Sequence, residues 1–284
     1  MADRTDAMIE LLDSHAHVDG PEFDADRAEV LARARAAGVR RIVVIGAVGD
    51  PTSAERAVAL AEQDPDVFAT VATHPHDVEK MTPEWWAVHE RLAPHPRVVA
   101  IGETGLDYYY DHSPREAQRA AFARFVELAR SVHKPVVCHI RSGRDAPTGY
   151  LHDAWRDAHD DARAILRETR APELGCIIHC FTGTPDDARA YAELDCYVSF
   201  SGIVTYKTAQ PLRDALPLVP RERLLIETDC PYLSPVPMRG RRNEPAHIVH
   251  TAEVVARCIG QSYEELARIT TENACRIYGL TPRP

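Results

Sequence analysis

The chain has 284 residues, and its 33 lysines and arginines against 43 aspartates and glutamates give a net charge of −10 at pH 7. Hydrophobic residues make up 45% and charged residues 27% of the chain, an ordinary globular composition that excludes a disordered, collagen-like or disulfide-stapled small fold. The acidic balance also argues against a broad, non-specific surface for nucleic acid.

No stretch of the sequence reaches the roughly 20 consecutive apolar residues that a membrane-spanning helix requires. Residues 1–6 are polar and include acidic side chains, so they lack the basic and then apolar layout of a signal peptide. We therefore expect a cytoplasmic protein with no membrane association and no obligate protein partner.

Eight short, nearly continuous apolar runs occur along the chain, and each is typical of a strand buried on both faces. Helical patterns separate them, most clearly at residues 116–133, where Phe122, Phe125 and Val126 share one helix face and Ser113 is the predicted cap. The predicted strands are residues 11–14, 41–45, 67–72, 98–101, 135–138, 175–178, 196–200 and 224–226.

The regular alternation of strand and helix, with no flexible linker, predicts an α/β fold in which residues 1–284 form a single (β/α)₈ TIM barrel. A doubly wound open sheet is the alternative, but no G-x-G-x-x-G follows a predicted strand. The connection after the fifth strand is longer than usual, and we interpret residues 141–155 as a loop insertion.

Potential metal ligands stand at the ends of nearly all the predicted strands. They are His15 and His17 after the first strand, His74 and His76 after the third, Glu103 after the fourth, His139 after the fifth, His179 after the sixth and Asp229 after the eighth. In a barrel these strand ends converge on one face, where catalytic groups are found. The pattern therefore favours a metal-dependent site over isolated structural histidines.

Spacing and neighbours refine this prediction for the first three ligands. His15 and His17 are two residues apart, so both imidazoles lie on the same face if the strand continues through them. Glu103 is flanked by Gly102 and Gly105, which allow close backbone approach while its two oxygens bridge two cations. The alternative for Glu103 is a salt-bridged glutamate at the barrel rim.

The later strands predict a second cation. A lone histidine that ends an apolar strand is more often a core residue, but His139 and His179 occupy equivalent positions on consecutive strands. Asp229 is expected to ligate the first metal and to orient its water, while Glu227 on the same face supports a neighbouring ligand. Two divalent cations suit hydrolysis, since they activate water and stabilise charge at the reacting centre.

Two other features allow both a functional and a structural interpretation. His74 either donates to charge that develops on the substrate or fixes a proline turn, and His76 is interpreted as structural. The tyrosines at 108–110 either offer a surface on which a ligand stacks or simply pack against the protein, and packing is the commoner role of such a run.

Six motifs together resemble the TatD family of metal-dependent deoxyribonucleases. They are Asp-Ser-His-Ala-His-Val-Asp at 13–19, His-Pro at 74–75, Gly-Glu-Thr-Gly-Leu-Asp-Tyr at 102–108, His-Cys-Phe-Thr-Gly at 179–183, Glu-Thr-Asp-Cys-Pro-Tyr-Leu at 227–233 and Arg-Asn-Glu-Pro at 242–245. The resemblance covers roughly residues 11–280 in order. It implies a TIM-barrel hydrolase that cuts DNA phosphodiesters with Mg²⁺, Mn²⁺ or Zn²⁺, often as a 3′ exonuclease.

The resemblance also implies roles for individual residues. The first metal would be held by His15, His17, Glu103 and Asp229, and the second by Glu103, His139 and His179. His74 would lie beside the scissile phosphate and Asp229 would help to activate water, so that Asp229, Glu103 and His74 form the catalytic set. The family usually runs from the fifth-strand histidine almost directly into an Arg-Asp-Ala element, and here either Arg141 or Arg156 takes that position toward the substrate.

Three functions follow from these features. The first is a two-metal phosphodiesterase acting on the ends of single-stranded DNA, as a 3′–5′ exonuclease. The second is a metal-dependent hydrolase of a small ester or amide or of an aminoacyl-tRNA ester, because the fold and the metals do not fix the substrate. The third is a non-catalytic metal-binding protein. A glutamate at the bridging position favours the first function, because amidohydrolase relatives often carry a carbamylated lysine there and this chain offers Glu103 instead.

Overall fold

The computed structural model describes residues 10–143 and 157–281. Over these residues, eight strands form one sheet in chain order and every neighbouring pair is parallel. The strands are β1 (Leu11–Ala16), β2 (Val39–Gly46), β3 (Val67–Val71), β4 (Val98–Asp107), β5 (Val136–Arg141), β6 (Cys176–Ile178), β7 (Tyr197–Phe200) and β8 (Leu224–Ile226). This order confirms the predicted (β/α)₈ barrel.

Within the same described residues, one α-helix follows each of the first seven strands, and two follow β8. They are α1 (Arg27–Ala36), α2 (Thr52–Gln63), α3 (Pro83–Leu92), α4 (Arg115–Ser131), α5 (Ala158–Glu168), α6 (Pro185–Glu193), α7 (Gln210–Ala215), α8 (Ile248–Cys258) and α9 (Tyr263–Ile277). Throughout residues 10–143 and 157–281, every helix is too short or too polar to cross a membrane.

Ser113 does not cap α4, contrary to the prediction. The helix begins at Arg115 after Pro114, without a side-chain cap. The Ser113 hydroxyl instead donates to the His76 carbonyl oxygen at 2.9 Å. Ser113 therefore ties the loop after β4 to the loop after β3.

Two hydrophobic clusters form the core on either side of the sheet. Val43 and Ile45 of β2 belong to an inner cluster, whereas Ile42 and Val44 belong to the larger outer cluster that includes the helices. This alternation follows from the two-residue period of a strand. The inner cluster fills the barrel below the strand ends, so it supports the side chains at the mouth.

Strand β4 is longer than predicted and carries Glu103 within it. Gly102 and Gly105 make this pairing possible, because β4 lies so close to β5 that a side chain at either position would clash with the β5 backbone. A Cβ atom on Gly105 would lie 2.1 Å from the His139 carbonyl oxygen, and one on Gly102 would lie 2.6 Å from the Val137 carbonyl oxygen. The close pairing brings Glu103 beside His139.

Contacts between β8 and β1 close the barrel on the side of the site. The Ser14 hydroxyl donates to the Ile226 carbonyl oxygen at 2.9 Å, and the Asp229 backbone N–H donates to the His15 carbonyl oxygen at 2.9 Å. Asp13 accepts hydrogen bonds from the backbone N–H and the hydroxyl of Thr228. These bonds place Asp229 next to His15.

The predicted insertion at 141–155 falls mainly outside the described residues, as does Arg156. Arg141 is described and is the last residue of β5.

Candidate active site

A cleft of about 450 Å³ opens at the carboxyl ends of the strands, and polar residues from most of the barrel line it. The predicted residues His17, His74, Glu103, His139, His179, Asp229 and Arg141 all contribute to its wall. His15 lies directly below, fully buried in β1. The fold therefore brings every described residue of the predicted site to one place.

The first cluster consists of His15, His17 and Asp229. Their ligand atoms lie within 4.8 Å of one another. The Nε2 atoms of His15 and His17 are 3.3 Å apart, and they lie 3.7 and 3.4 Å from Asp229 Oδ1. Two imidazole nitrogens and one carboxylate oxygen thus converge on a common point.

The second cluster consists of His139 and His179. His139 Nδ1 and His179 Nε2 are 3.3 Å apart. Both face the same oxygen of Glu103, since Oε1 lies 2.7 Å from His139 Nδ1 and 2.6 Å from His179 Nε2.

Glu103 stands between the two clusters and presents a different oxygen to each. Its Oε2 atom lies 3.4 Å from His15 Nε2 and 3.7 Å from His17 Nε2. Its Oε1 atom faces His139 and His179, as described above. The carboxylate therefore lies between the two pairs of imidazoles and presents one oxygen to each pair.

Two buried carboxylates hold the far nitrogens of the second cluster. Asp107 Oδ2 accepts a hydrogen bond from His139 Nε2 at 3.0 Å, and Glu227 Oε1 accepts one from His179 Nδ1 at 3.1 Å. Both Asp107 and Glu227 are fully buried. These carboxylates would hold the proton of each ring on its far nitrogen when a cation is bound, so that the near nitrogen could offer its lone pair to that cation.

Asp107 was missed as a functional residue in the sequence. It lies four residues beyond Glu103, and the even spacing within β4 was the signal that could have placed both on one face. Its Oδ2 atom also accepts a hydrogen bond from His76 Nε2 at 2.9 Å. His76 therefore lines the cleft and braces the same carboxylate, in addition to its place in the loop.

His74 is the catalytic histidine predicted from the loop after β3, and it lies against the second cluster. Its Nε2 atom is 3.5 Å from Glu103 Oε1 and 3.4 Å from His139 Nδ1. The His76 backbone N–H donates to His74 Nδ1, so the proton of the neutral ring is on Nε2. Burial lowers the pKa of His74 to about 4, which keeps this N–H donor uncharged.

Both carboxylates at the centre are ionised at neutral pH. Burial opposes ionisation of Glu103, but the neighbouring histidines, His179 foremost, hold its pKa well below the ordinary value. Burial likewise opposes ionisation of Asp229, and its hydrogen bond with His17 lowers its pKa below the usual range. Ionised carboxylates and imidazole lone pairs are the donors that Zn²⁺ and Mn²⁺ accept, so the residues present fit a divalent metal.

The loop that carries Asp229 is held by a residue of the Arg-Asn-Glu-Pro motif. The Asn243 amide donates to the carbonyl oxygens of Thr228 at 2.9 Å and Tyr232 at 2.7 Å. Asn243 is fully buried beneath the loop. Asn243 thereby holds the chain on both sides of Asp229.

Comparison with known proteins places the chain in a family. A profile described as TatD related DNase matches residues 12–279. The uncharacterized metal-dependent hydrolase YabD of Bacillus subtilis (strain 168) is 41% identical over 270 residues, covering 95% of this chain and 99% of YabD. The 3′–5′ ssDNA/RNA exonuclease TatD of Edwardsiella piscicida is 36% identical over 276 residues, covering 95% of this chain and all of that protein.

The fold agrees with a solved structure of the same family. The crystal structure of YjjV, a TatD homologue from Escherichia coli K12, superposes with a TM-score of 0.85 at 26% identity, covering 96% of this chain and 100% of that one. Together with the candidate metal-binding clusters at the barrel mouth, these matches confirm the predicted family, and the protein is a metal-dependent hydrolase of the TatD related DNase family.

Proposed function

We propose that this protein is a two-metal phosphodiesterase that removes nucleotides from the 3′ ends of single-stranded DNA. The observation that carries the proposal is the placement of Glu103, whose Oε2 atom faces the first cluster and whose Oε1 atom faces the second. A carboxylate shared in this way supports a pair of cations. The choice of DNA ends is supported by the names of relatives such as the Edwardsiella piscicida exonuclease.

The position of each residue in the site suggests its role in the reaction. His15, His17 and Asp229 would hold one cation and His139 and His179 the other, with Glu103 between them. When bound, the cations would lower the pKa of a water molecule and stabilise the charge that develops on the phosphate. Asp229 would orient the attacking water, and the His74 Nε2–H group would donate to a phosphate oxygen.

The test compares the protein with its Glu103→Gln variant on end-labelled single-stranded and duplex DNA, after metal removal and separate addition of Mg²⁺, Mn²⁺ and Zn²⁺. We expect metal-dependent, stepwise shortening from the 3′ end, and a loss on the order of 10³-fold in the variant. Glu222→Gln, an exposed glutamate at the opposite end of β8, is the matched control and should retain activity.

Two results would contradict the proposal. Full activity of Glu103→Gln would exclude the shared-carboxylate site. Failure to cut DNA with any of the three metals, in protein that still binds them, would favour a hydrolase of small esters or amides instead.

A further inference from the structure

The apolar side chains exposed on the surface are concentrated around the cleft. Within the described part of the chain, the large hydrophobic side chains that are exposed are Val48, Tyr110, Tyr232 and Val236. All of these except Val236 line the cleft. Exposed apolar groups gathered at one site indicate contact with a ligand.

Tyr110 is held in place by the same carboxylate that supports the second cluster. The backbone N–H groups of Tyr109 and Tyr110 donate to Asp107 Oδ1 at 3.0 and 2.9 Å. The other oxygen of Asp107 accepts from His139. The backbone of Tyr110 is therefore tied to the carboxylate that supports the second cluster, although 47% of the residue is exposed.

Two further planar groups surround the Tyr110 ring. The His112 ring is parallel to it within 4°, with centroids 5.4 Å apart, and His112 is exposed. The Arg141 guanidinium lies 4.9 Å from the Tyr110 centroid and 4.1 Å from the Tyr109 centroid. We name Tyr110, His112 and Arg141 the stacking rim. Tyrosine faces and guanidinium planes are the surfaces on which unpaired nucleobases stack.

The other side of the mouth carries a cluster of acidic residues. A second pocket beside His17 is lined by Asp19, Glu22, Asp24 and Asp50, and its basic residue Arg56 lies 3.5 Å from Asp19. These acidic residues follow β1 and β2, whereas the stacking rim follows β4 and β5. Acidic side chains repel phosphate groups, so this side of the mouth disfavours a nucleic-acid strand and the stacking rim is the more favourable exit.

We propose that the stacking rim is a nucleobase subsite, in which Tyr110 stacks with the base of the nucleotide next to the scissile phosphate and Arg141 adds a positive charge beside it. This inference rests on the proposed function, since it names how a single-stranded substrate is held. It also explains how an acidic protein with a charge of −10 holds a polyanion, because the contact is local.

The experiment measures equilibrium binding of 2′-deoxyadenosine 5′-monophosphate and of 2-deoxyribose 5-phosphate to the metal-loaded protein, beside kcat/KM on single-stranded DNA. The two ligands share the phosphate and differ in the base. We expect Tyr110→Ala to weaken binding of the nucleotide roughly 5- to 150-fold, the range expected for the loss of one base–aromatic stack. Binding of the sugar phosphate should not change.

Two control variants isolate the ring. Tyr110→Phe keeps the aromatic face and should bind the nucleotide as the unmodified protein does. Val236→Ala removes an equally exposed apolar side chain outside the cleft, 47% exposed, and should have no effect.

The outcomes separate this inference from the proposed function. Base-dependent binding that Tyr110→Ala removes, in a protein that cuts no DNA, would support the subsite and refute the nuclease. DNA cleavage with unchanged nucleotide binding and unchanged kcat/KM in Tyr110→Ala would overturn the subsite alone. Equal binding of both ligands by the unmodified protein would also overturn it.

Discussion

The two clusters of the candidate metal centre are both built on a pair of histidines but are supported differently. In the second cluster, the far nitrogens of His139 and His179 donate to the buried carboxylates of Asp107 and Glu227. In the first cluster, the Nδ1 atoms of His15 and His17 are buried and have no hydrogen-bond partner among the described residues.

In the first cluster, strand geometry and ring packing position the two histidines without any carboxylate of the described residues bound to Nδ1. His15 belongs to β1, and its ring stacks on that of His179 with centroids 3.8 Å apart and planes within 10°. His17 is fixed by its backbone N–H, which donates to the Cys230 carbonyl oxygen at 2.8 Å. The histidines of the second cluster are therefore positioned by carboxylates outside the candidate ligand set, whereas those of the first are positioned mainly by the backbone and packing of the barrel.

Among changes to these supporting carboxylates, the largest loss of metal affinity and activity is expected for Glu227→Gln. The substitution removes the charge that holds the His179 Nδ1 proton and also weakens the acceptor of the Cys180 backbone N–H, 2.7 Å away. Loss of such a partner costs roughly 10- to 100-fold in metal affinity or activity. Metal content and DNA cleavage are the measurements. Unchanged metal affinity would show that Glu227 does not orient His179.

A smaller effect is expected for Asp107→Asn. The side chain of His139 is 16% exposed against 2% for His179, so water can partly replace the lost acceptor. We expect a loss of about tenfold, at the lower end of the usual range for such partners. Kinetics on DNA and metal titration measure it. A loss larger than that of Glu227→Gln would reverse the proposed ranking of the two carboxylates.

A third effect, on stability and not on activity, is expected for His89, a buried histidine of α3 that lies outside both clusters. Its Nε2 atom lies 2.9 Å from the Thr73 hydroxyl oxygen, and burial lowers the pKa of His89 to about 4. The unfolded chain therefore takes up a proton as the pH falls below about 6.5, while the folded protein does not. Stability should fall by about 2 kcal/mol between pH 7 and pH 5 through this group.

Urea unfolding at both pH values tests the His89 prediction. The variant His89→Gln should lose less stability than the unmodified protein between pH 7 and pH 5, by the same 2 kcal/mol or so. Equal losses in the two proteins would show that His89 does not carry the effect. His89 thus provides the reference for an imidazole that is buried without a carboxylate.

The amino-acid sequence was enough to predict the barrel and to select the candidate ligands that the fold brings together. Alternating buried strands and amphipathic helices leave a parallel barrel as the favoured arrangement, and its topology brings strand ends together whatever the loops do. His15, His139 and Asp229 could be grouped from the sequence for this reason alone. The insertion at 141–155 and the role of Arg156 stay predictions.

The hydrogen-bond partners of these candidate ligands, and the side chains around the cleft, could be found only from the tertiary structure. The close pairing of β4 with β5 extended β4 as far as Asp107, and it brought Asp107 to His139, 32 positions away in the chain. Which oxygen of Glu103 faces which cluster, and the contact of Arg141 with Tyr110, likewise depend on side chains from different strands. Such contacts have no local period in the sequence, because they are set by strand register and side-chain packing across the barrel mouth.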